Sequence, residues 1–199
     1  MEIHGFLRSR RSIRRFKQQE VPEDIVLRIL TTATYAPSAH NRQPWRFCLL
    51  RQPEPKSRLA EAMAEGFRDD LLLDNLDPKE VDSRVERSRA RITAAPLVIV
   101  LCMDTSEMDT YPDARRQQAE RTMAIQSVAA SGLQLLLGAH AEGLAGVWTC
   151  SPLFAPEAVR KALSLPASWE PQAMYFLGYA DRTAKTKSLK PLDAIVRMF

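Results

Sequence analysis

The sequence predicts one domain of mixed α and β structure, in the α/β (α+β) class, over residues 1–199. Its 45% hydrophobic and 26% charged residues are average for a globular domain, and 199 residues suffice for one well-packed core. Short apolar runs with the length of β-strands alternate along the chain with segments of helical periodicity. The chain has no internal repeat, low-complexity tract or Gly/Ser-rich linker that would divide it.

The first part of the chain is predicted to hold two helices and a strand. Residues 2–9 are predicted to form a short helix. A second helix is predicted over 22–35, because Pro22 and the two acidic residues after it suit the first turn of a helix. Pro37 would end that helix. Apolar and polar residues then alternate over 45–50, which is the periodicity of a strand.

The rest of the chain follows the same two patterns. The run 96–103 begins with proline and is otherwise apolar, which is typical of a central strand covered on both faces. Residues 113–142 contain no proline and predict a long central helix, which Gly143 would end. The remaining predicted elements are helices over 55–66 and 156–163 and strands over 146–149 and 172–179.

Two segments are predicted to lie outside this framework. Residues 69–91 carry acidic residues first and arginines afterwards, with apolar residues between them. This layout fits a mobile helical insertion, or lid; the alternative is a solvated helical face with intrahelical ion pairs. Residues 181–199 form a C-terminal extension that is basic and then apolar, so its apolar part needs a surface such as a partner subunit.

Composition narrows the location and the partners. No uninterrupted apolar stretch is long enough to span a bilayer, and the N-terminus lacks a signal-peptide core, so we expect a cytoplasmic protein without a membrane partner. The three cysteines and three histidines are scattered, which favours reduced thiols and no metal site. Cys150 is expected to be a buried, inert thiol. Basic residues collect at 8–17 and 182–190, which favours a small polyanion over nucleic acid.

The run Arg10-Arg11-Ser12-Ile13-Arg14-Arg15-Phe16 is the strongest functional signal. From Arg8 to Lys17 there are six basic residues and no acidic one, a charge density that repels itself and is relieved by an anion. Arginine binds phosphate through its planar fork, and serine adds a hydroxyl donor. The run therefore predicts a phosphate site, with a solvated surface patch as the alternative.

A second run, Pro37-Ser38-Ala39-His40-Asn41-Arg42-Gln43-Pro44-Trp45, is bounded by prolines and rich in hydroxyl, amide and imidazole groups. Such groups bind the heteroatoms of a ligand rather than build a core. Together the two runs indicate a cofactor with an anionic tail and a heteroatom-rich head. For His40, a hydrogen bond to the backbone of its own loop is the alternative to ligand contact.

Both runs resemble the FMN-dependent nitroreductase family. The same is true of Glu142-Gly143-Leu144-Ala145-Gly146-Val147-Trp148, of Leu177-Gly178-Tyr179 and of the tail Lys187-Ser188-Leu189-Lys190-Pro191-Leu192. The resemblance implies a nitroreductase-like fold with a mixed central sheet sandwiched by helices. It also implies a homodimer that exchanges its C-terminal segments and holds two molecules of flavin mononucleotide (FMN) at its interface.

The resemblance implies that each FMN site draws on both subunits. Arg10, Arg11, Ser12 and Arg14 would lie on the near side, Gly146, Val147 and Trp148 near the ring, and Lys187 or Lys190 at the phosphate. The other subunit would supply Ser38, Ala39, His40 and Gln43. Two positions depart from the family pattern: Ala39 stands where a hydroxyl residue is frequent, and Gln134 where an asparagine is often found. For Trp148, a place in the core is the alternative. No catalytic side chain is implied, since the flavin carries the chemistry.

The implied function is an oxidoreductase that passes a hydride from NAD(P)H through FMN to a nitroaromatic, quinone or unsaturated acceptor. A closer likeness, carried by Tyr111-Pro112-Asp113-Ala114-Arg115-Arg116, Ala119-Glu120-Arg121 and Trp169-Glu170-Pro171, is to the nitroreductase-like domain of the coenzyme F-420 glutamate ligase. The first alternative is therefore an FMN-dependent reductase of a dehydro precursor of that coenzyme, whose polyanionic tail Arg115, Arg116 and Arg121 would meet. The second alternative is a non-catalytic flavin-binding protein.

Overall fold

The computed structural model describes residues 2–184 and 186–199. The helices are α1 (Ile3–Ser9), α2 (Glu23–Thr34), α3 (Pro53–Leu73), α4 (Pro78–Ala94), α5 (Ala114–Ala141) and α6 (Pro156–Ala162). The strands are β1 (Trp45–Leu50), β2 (Leu97–Asp104), β3 (Ala145–Thr149) and β4 (Trp169–Gly178). These bounds confirm the predicted order of elements.

The four strands form one sheet in the order β1-β2-β4-β3, so β1 and β3 are its two edges. Every neighbouring pair of strands is antiparallel. A parallel contact occurs in the isolated bridge between Ser12 and Gly146, beside the β3 edge. Strand β2 is buried at every position and lies inside the sheet, as its proline-led apolar run predicted.

Helices cover both faces of the sheet, which confirms the α+β fold. Because side chains alternate along a strand, Leu97, Ile99 and Leu101 enter the core that β2 shares with α2 and α5. The intervening Val98, Val100 and Cys102 enter a second core, on the side of α3 and α6. One strand therefore anchors both cores, which is why its sequence shows no polar alternation.

The long helix α5 crosses the sheet and ends where glycine predicted it would. Gly143 adopts a φ of 75°, the left-handed conformation that closes a helix. Its N–H donates to the carbonyl of His140 (3.1 Å), and the N–H of Leu144 donates to that of Ala139 (2.9 Å), which is a Schellman motif. By length and composition alone, α5 could cross a membrane, but half of its most apolar window is buried inside this protein, so here it serves as a core helix.

Residues 53–94 form a helical hairpin, α3 and α4, on the outer side of the second core. The polar helix predicted over 55–66 is longer than expected, because no proline intervenes between Pro55 and Asn75, which adopts a φ of 58°. The 69–91 segment contains one intrahelical ion pair of the expected kind, between Arg84 and Glu80. Its other arginine pairs join the two helices, Arg68 with Asp82 and Arg89 with Glu61.

The close contact of α5 with β4 at Gly132 predicts an overpacking effect. A Cβ at Gly132 would lie 1.9 Å from the Tyr175 hydroxyl oxygen, and Tyr175 is fully buried. We expect Gly132→Ala to destabilise the fold by about 1–3 kcal/mol in chemical denaturation. Tyr175→Phe should restore part of this loss at little cost of its own, since that hydroxyl has no hydrogen-bond partner among the described residues.

The matched control for that experiment is Gly66→Ala, in the middle of α3. A Cβ there meets nothing within 4 Å. This substitution should therefore be neutral or stabilising by up to about 1 kcal/mol, the difference in helix propensity between glycine and alanine. Equal destabilisation by both glycine substitutions would refute the steric explanation.

Candidate functional site

A cavity of about 410 Å³ is lined by the arginine run and by the beginning of the C-terminal extension. Its lining residues are Arg10, Arg11, Ser12, Ile13, Arg14, Arg15, Arg182, Thr183, Ala184 and Lys187. Six of these side chains are cationic and none is acidic. None of the six forms an ion pair within residues 2–184 and 186–199, although ion pairs hold many other arginines of the chain. The cavity therefore concentrates positive charge that only an external anion would neutralise.

Backbone hydrogen bonds hold the arginine run in this position. The N–H of Ile13 donates to the carbonyl of Gly146 (3.1 Å), and that of Lys17 donates to the carbonyl of Tyr179 (2.9 Å). The N–H of Asp181 donates to the carbonyl of Arg15 (3.2 Å). These bonds fasten the run to the start of β3 and to the segment after β4, where Arg182, Thr183, Ala184 and Lys187 line the same cavity.

Arg10 sits where the basic cavity meets a smaller one. Its Nη1 is buried without a hydrogen-bond partner among the described residues, which is unfavourable for a charged donor unless a ligand satisfies it. A neighbouring cavity of about 220 Å³ shares Arg10 and contains His140 and Gly146. Burial and the charge of Arg10 lower the pKa of His140, whose Nε2 lies 2.7 Å from Ser9 Oγ. An anion beside Arg10 would fit this environment.

Gly146, Val147 and Trp148, the residues of β3 expected near the flavin ring, lie beside the two cavities around Arg10. Each of them is packed differently. Gly146 is packed so closely that an added Cβ would lie 2.6 Å from the Leu177 side chain. Val147 is buried in the second core, so its backbone rather than its side chain is available to a ligand. Trp148 packs against Tyr175 with ring centroids 5.4 Å apart, and its Nε1 is a second buried donor for which the described residues provide no acceptor.

The loop before β1 has a strained backbone. His40, Asn41 and Gln43 have φ of 53°, 55° and 51°, and non-glycine residues in this left-handed region cost about 1 kcal/mol or more each. Ser38 Oγ accepts from the N–H of Gln43 (3.1 Å). The N–H of Ala39 donates to the hydroxyl of Ser127 on α5 (3.1 Å). The loop is thus held in one shape, with the imidazole of His40 exposed.

The structure brings some of the predicted site residues together and keeps others apart. Lys187 lines the basic cavity, whereas Lys190 is exposed and does not line it. The group from Ser38 to Gln43 lies before β1, at the sheet edge opposite β3, and lines neither of the two cavities around Arg10 in the described parts of the chain. Sequence reasoning missed Arg15, Arg182 and Thr183 as lining residues, although the basic cluster at 182–190 was visible.

The structure also bears on the expectations for Cys150, Arg116 and Arg121. Cys150 is exposed, so the expectation of a buried thiol is wrong; it follows the last residue of β3, where the chain has left the sheet. Arg116 pairs with Asp113 and lies over the Tyr111 ring, 5.2 Å from its centroid. Arg121 pairs with Glu170 through both carboxylate oxygens, which joins α5 to the start of β4.

Comparison with known proteins identifies the family. Residues 7–179 match the nitroreductase family. The chain belongs to the nitroreductase family. This nitroreductase is 30% identical to an NADH dehydrogenase from Thermus thermophilus over 94% of this chain and 91% of that protein.

Solved structures share the fold of this nitroreductase at lower identity. A BluB-like flavoprotein from Clostridium difficile 630 superimposes with a TM-score of 0.82 at 20% identity, covering 100% of this chain and 99% of that one. A structure from Desulfovibrio desulfuricans solved in complex with FMN gives a TM-score of 0.75 at 22% identity, covering 100% and 97%. The family recognised from the sequence motifs, and its fold, are confirmed.

The ion pair of Arg121 with Glu170 predicts a pH-dependent contribution to stability. Arg121 holds the pKa of Glu170 below its usual value. A lowered folded-state pKa stabilises the protein above the unfolded pKa, and this contribution is lost as pH falls through the folded value. We expect Glu170→Gln to cost roughly 1 kcal/mol at pH 7, and the difference from wild type to shrink in acid below pH ~4.

Urea denaturation of both proteins at several pH values would measure this. The control is Glu157→Gln, which removes a far more exposed carboxylate, the partner of Arg160, and should change stability very little at any pH. A constant difference between wild type and Glu170→Gln across the whole pH range would rule out the ion pair as its cause.

Proposed function

We propose that this nitroreductase is a cytoplasmic, homodimeric, FMN-dependent NAD(P)H oxidoreductase. It reduces a nitroaromatic, a quinone or an unsaturated small molecule by two electrons taken from NAD(P)H. The observation that carries the proposal is the cavity beside β3 where six cations converge, none of them in an ion pair within the part of the chain that the structure describes. Family membership, and FMN bound in a protein of the same fold, support it.

The residues around the basic cavity fit the phosphate of FMN. A phosphate monoester carries close to two negative charges at neutral pH, and guanidinium groups bind its oxygens in pairs. Arg10 has a buried nitrogen that needs an acceptor, Ser12 offers a hydroxyl, and Lys187 adds a charge from the other end of the chain. When bound, FMN supplies hydride transfer, which no protein side chain can perform. The protein then needs only to bind, orient and neutralise charge.

The remaining donors suit the other end of the flavin. From Gly146 to Trp148, strand β3 continues away from the basic cavity, so a flavin whose phosphate lies in the cavity would extend its ring along this strand. The buried Nε1 of Trp148 is a donor without an acceptor among the described residues. Arg14, on the same wall as the other arginines, would stabilise negative charge on the reduced ring.

The topology favours a site shared between two subunits. The arginine run lies at the β3 edge and the Ser38–Gln43 loop precedes β1, and these edges are separated by three strand spacings, about 14 Å. A second copy could bring its own loop to the β3 edge. The extension supports the same conclusion, because Leu192, Ile195 and Phe199 are all more than half exposed in one chain. Apolar side chains at that exposure favour packing on a partner.

The phosphate assignment predicts a difference between two flavins. Arg10→Gln and Lys187→Gln should each weaken FMN binding about tenfold, because each removes one charge–phosphate contact. Riboflavin has the same ring without the phosphate, so its affinity should be unchanged in both variants. Titration of the apoprotein, followed by quenching of flavin fluorescence, gives both constants. Arg115→Gln, on α5 and outside the cavity, is the matched control; an equal loss for FMN and riboflavin would refute the assignment.

The shared site predicts complementation between two defective subunits. Arg10→Ala/Arg14→Ala removes the near side, and Ala39→Trp obstructs the loop. Homodimers of either variant should contain little flavin, whereas a heterodimer purified through two different tags should contain about one FMN, because one of its two sites would combine intact halves. Flavin absorbance per dimer measures this. An empty heterodimer from well-folded subunits would mean that both groups act within one chain.

Rapid mixing tests the catalytic part of the proposal. A non-catalytic flavin-binding protein would hold FMN but would not be reduced by NADH or NADPH at a useful rate, whereas an oxidoreductase would lose its flavin absorbance within the dead time or shortly after. The coenzyme F-420 role draws less support from the structure. Of the arginines that would meet a polyanionic tail, Arg116 and Arg121 already pair with Asp113 and Glu170.

A further inference from the structure

The second half of the Ser38–Gln43 loop is fixed by two arginine side chains. Arg42 lies between two residues with positive φ, and its Nη2 lies 2.5 and 2.6 Å from the two carboxylate oxygens of Asp109. Arg46, at the start of β1, donates from Nη1 to the carbonyl of Gln43 (3.1 Å). The strained part of the loop therefore depends on where these two guanidinium groups are held.

The acidic segment after β2 holds the second of these arginines. Arg46 Nη2 lies 2.7 Å from Glu107 Oε1 and 3.0 Å from Asp104 Oδ2. The antiparallel register places the start of β1 beside the end of β2, so residues 104–109 lie next to the loop. Two arginines near the loop are thus matched by acidic side chains of one short segment.

Asp109, the partner of Arg42, is held through its own backbone by α5. Its N–H donates to Glu120 Oε1 (3.2 Å), and its carbonyl accepts from Gln117 Nε2 (3.3 Å). Glu120 is only 4% exposed, and its Oε2 has no hydrogen-bond partner among the described residues. A buried carboxylate oxygen without a donor costs stability. The position that Glu120 gives to Asp109 accounts for that cost.

The same network gives a structural meaning to the Ala119-Glu120-Arg121 motif. Glu120 holds Asp109, and Arg121 pairs with Glu170, which ties this part of α5 to the sheet. The beginning of α5 is therefore a fixed base to which the partner of Arg42 is attached. The motif would thus support the loop from a distance.

We propose that Glu107, Asp109 and Glu120 are positioning residues that hold the Ser38–Gln43 loop in the shape in which it contacts the flavin of the partner subunit. They act through Arg42 and Arg46 rather than by touching the flavin. A loop held in its binding shape does not lose conformational freedom when the ligand arrives, so more of the contact energy appears as affinity. This inference rests on the proposed function, because it takes the loop to act on a site shared between subunits.

The first test removes the acidic partners from the loop. Glu107→Gln/Asp109→Asn should weaken FMN and riboflavin alike, by about fivefold, because the pairs are partly exposed and the loop contacts are common to both flavins. This shared loss differs from the effect of the phosphate-cavity variants, which should lower the affinity for FMN alone. The matched control, Asp113→Asn/Glu157→Gln, removes two carboxylates from arginine pairs away from the loop and should change neither affinity.

Glu120→Met separates positioning from folding. It removes the acceptor of the Asp109 N–H and, with it, the unpartnered buried oxygen. Stability in urea should therefore be unchanged or higher, whereas both flavins should bind about threefold more weakly. A variant that loses stability and keeps full flavin affinity would contradict the assignment of Glu120.

A heterodimer with one surviving FMN site gives the decisive measurement. One chain carries Arg10→Ala/Arg14→Ala, so the remaining site combines the arginine run of the other chain with the loop of the arginine-deficient chain. Glu107→Gln/Asp109→Asn added to the arginine-deficient chain should weaken this site about fivefold. The same two substitutions added to the other chain should have no effect, although any loss of stability would be the same in both arrangements.

The heterodimers distinguish the possible failures. Equal weakening in both arrangements, no weakening in either, or weakening confined to the chain with intact arginines would overturn the proposal. A parent heterodimer with Glu107 and Asp109 intact that binds no FMN would refute the shared site of the proposed function, and this inference with it. Flavin absorbance and titration of each purified heterodimer give all of these results.

Discussion

The structure is organised around a concentration of like charge that the fold imposes and does not itself neutralise. Hydrogen bonds from Ile13 and Lys17 fasten the arginine run to backbone carbonyls beside β3 and after β4. These bonds leave the run no freedom to spread its charges apart, and they bring Lys187 and Arg182 to the same cavity. Mutual repulsion among six cations costs stability in the isolated chain. Such a cost is typical of a binding site, and in the proposed function the phosphate of FMN would offset it.

The fold was predictable where one periodicity ruled a segment. Strand β1 alternates, β2 is apolar throughout, and α5 runs without proline to Gly143, so all three were predicted nearly to their ends. The end of α3 was not predictable, because the acidic stretch after residue 66 favours a helix and a solvated loop about equally. The order of the strands in the sheet was not predictable either. Which strands become edges depends on long-range pairing, and no local pattern in this chain carries that information.

The site was predictable to a different degree. The arginine run was visible because six basic residues fall within residues 8–17 without an acidic one, and the loop before β1 because prolines bound a dense run of polar groups. The choice between Lys187 and Lys190 was not predictable, since both are basic residues in one irregular segment. Only the path of the backbone after Asp181 decides which of the two lines the cavity. Cys150 was misjudged because its neighbours in sequence are apolar or small, while its exposure follows from where β3 ends.

Two energetically unfavourable features of the single chain would both be relieved by a ligand bound between two subunits. The basic cavity is lined by six cationic side chains and no acidic one, and the Ser38–Gln43 loop maintains three residues in the left-handed region without burying His40. Strain of this kind persists only when surrounding contacts determine it, and Ser127 supplies just one of them. In the proposed dimer, a ligand between the arginine run of one subunit and the loop of the other would satisfy both features at once. Ligand binding and subunit association would then stabilise each other by linkage, because each completes a surface that the other requires. In this proposal the chain would be most stable as a dimer with the ligand bound. Association would give the strained Ser38–Gln43 loop a ligand to contact.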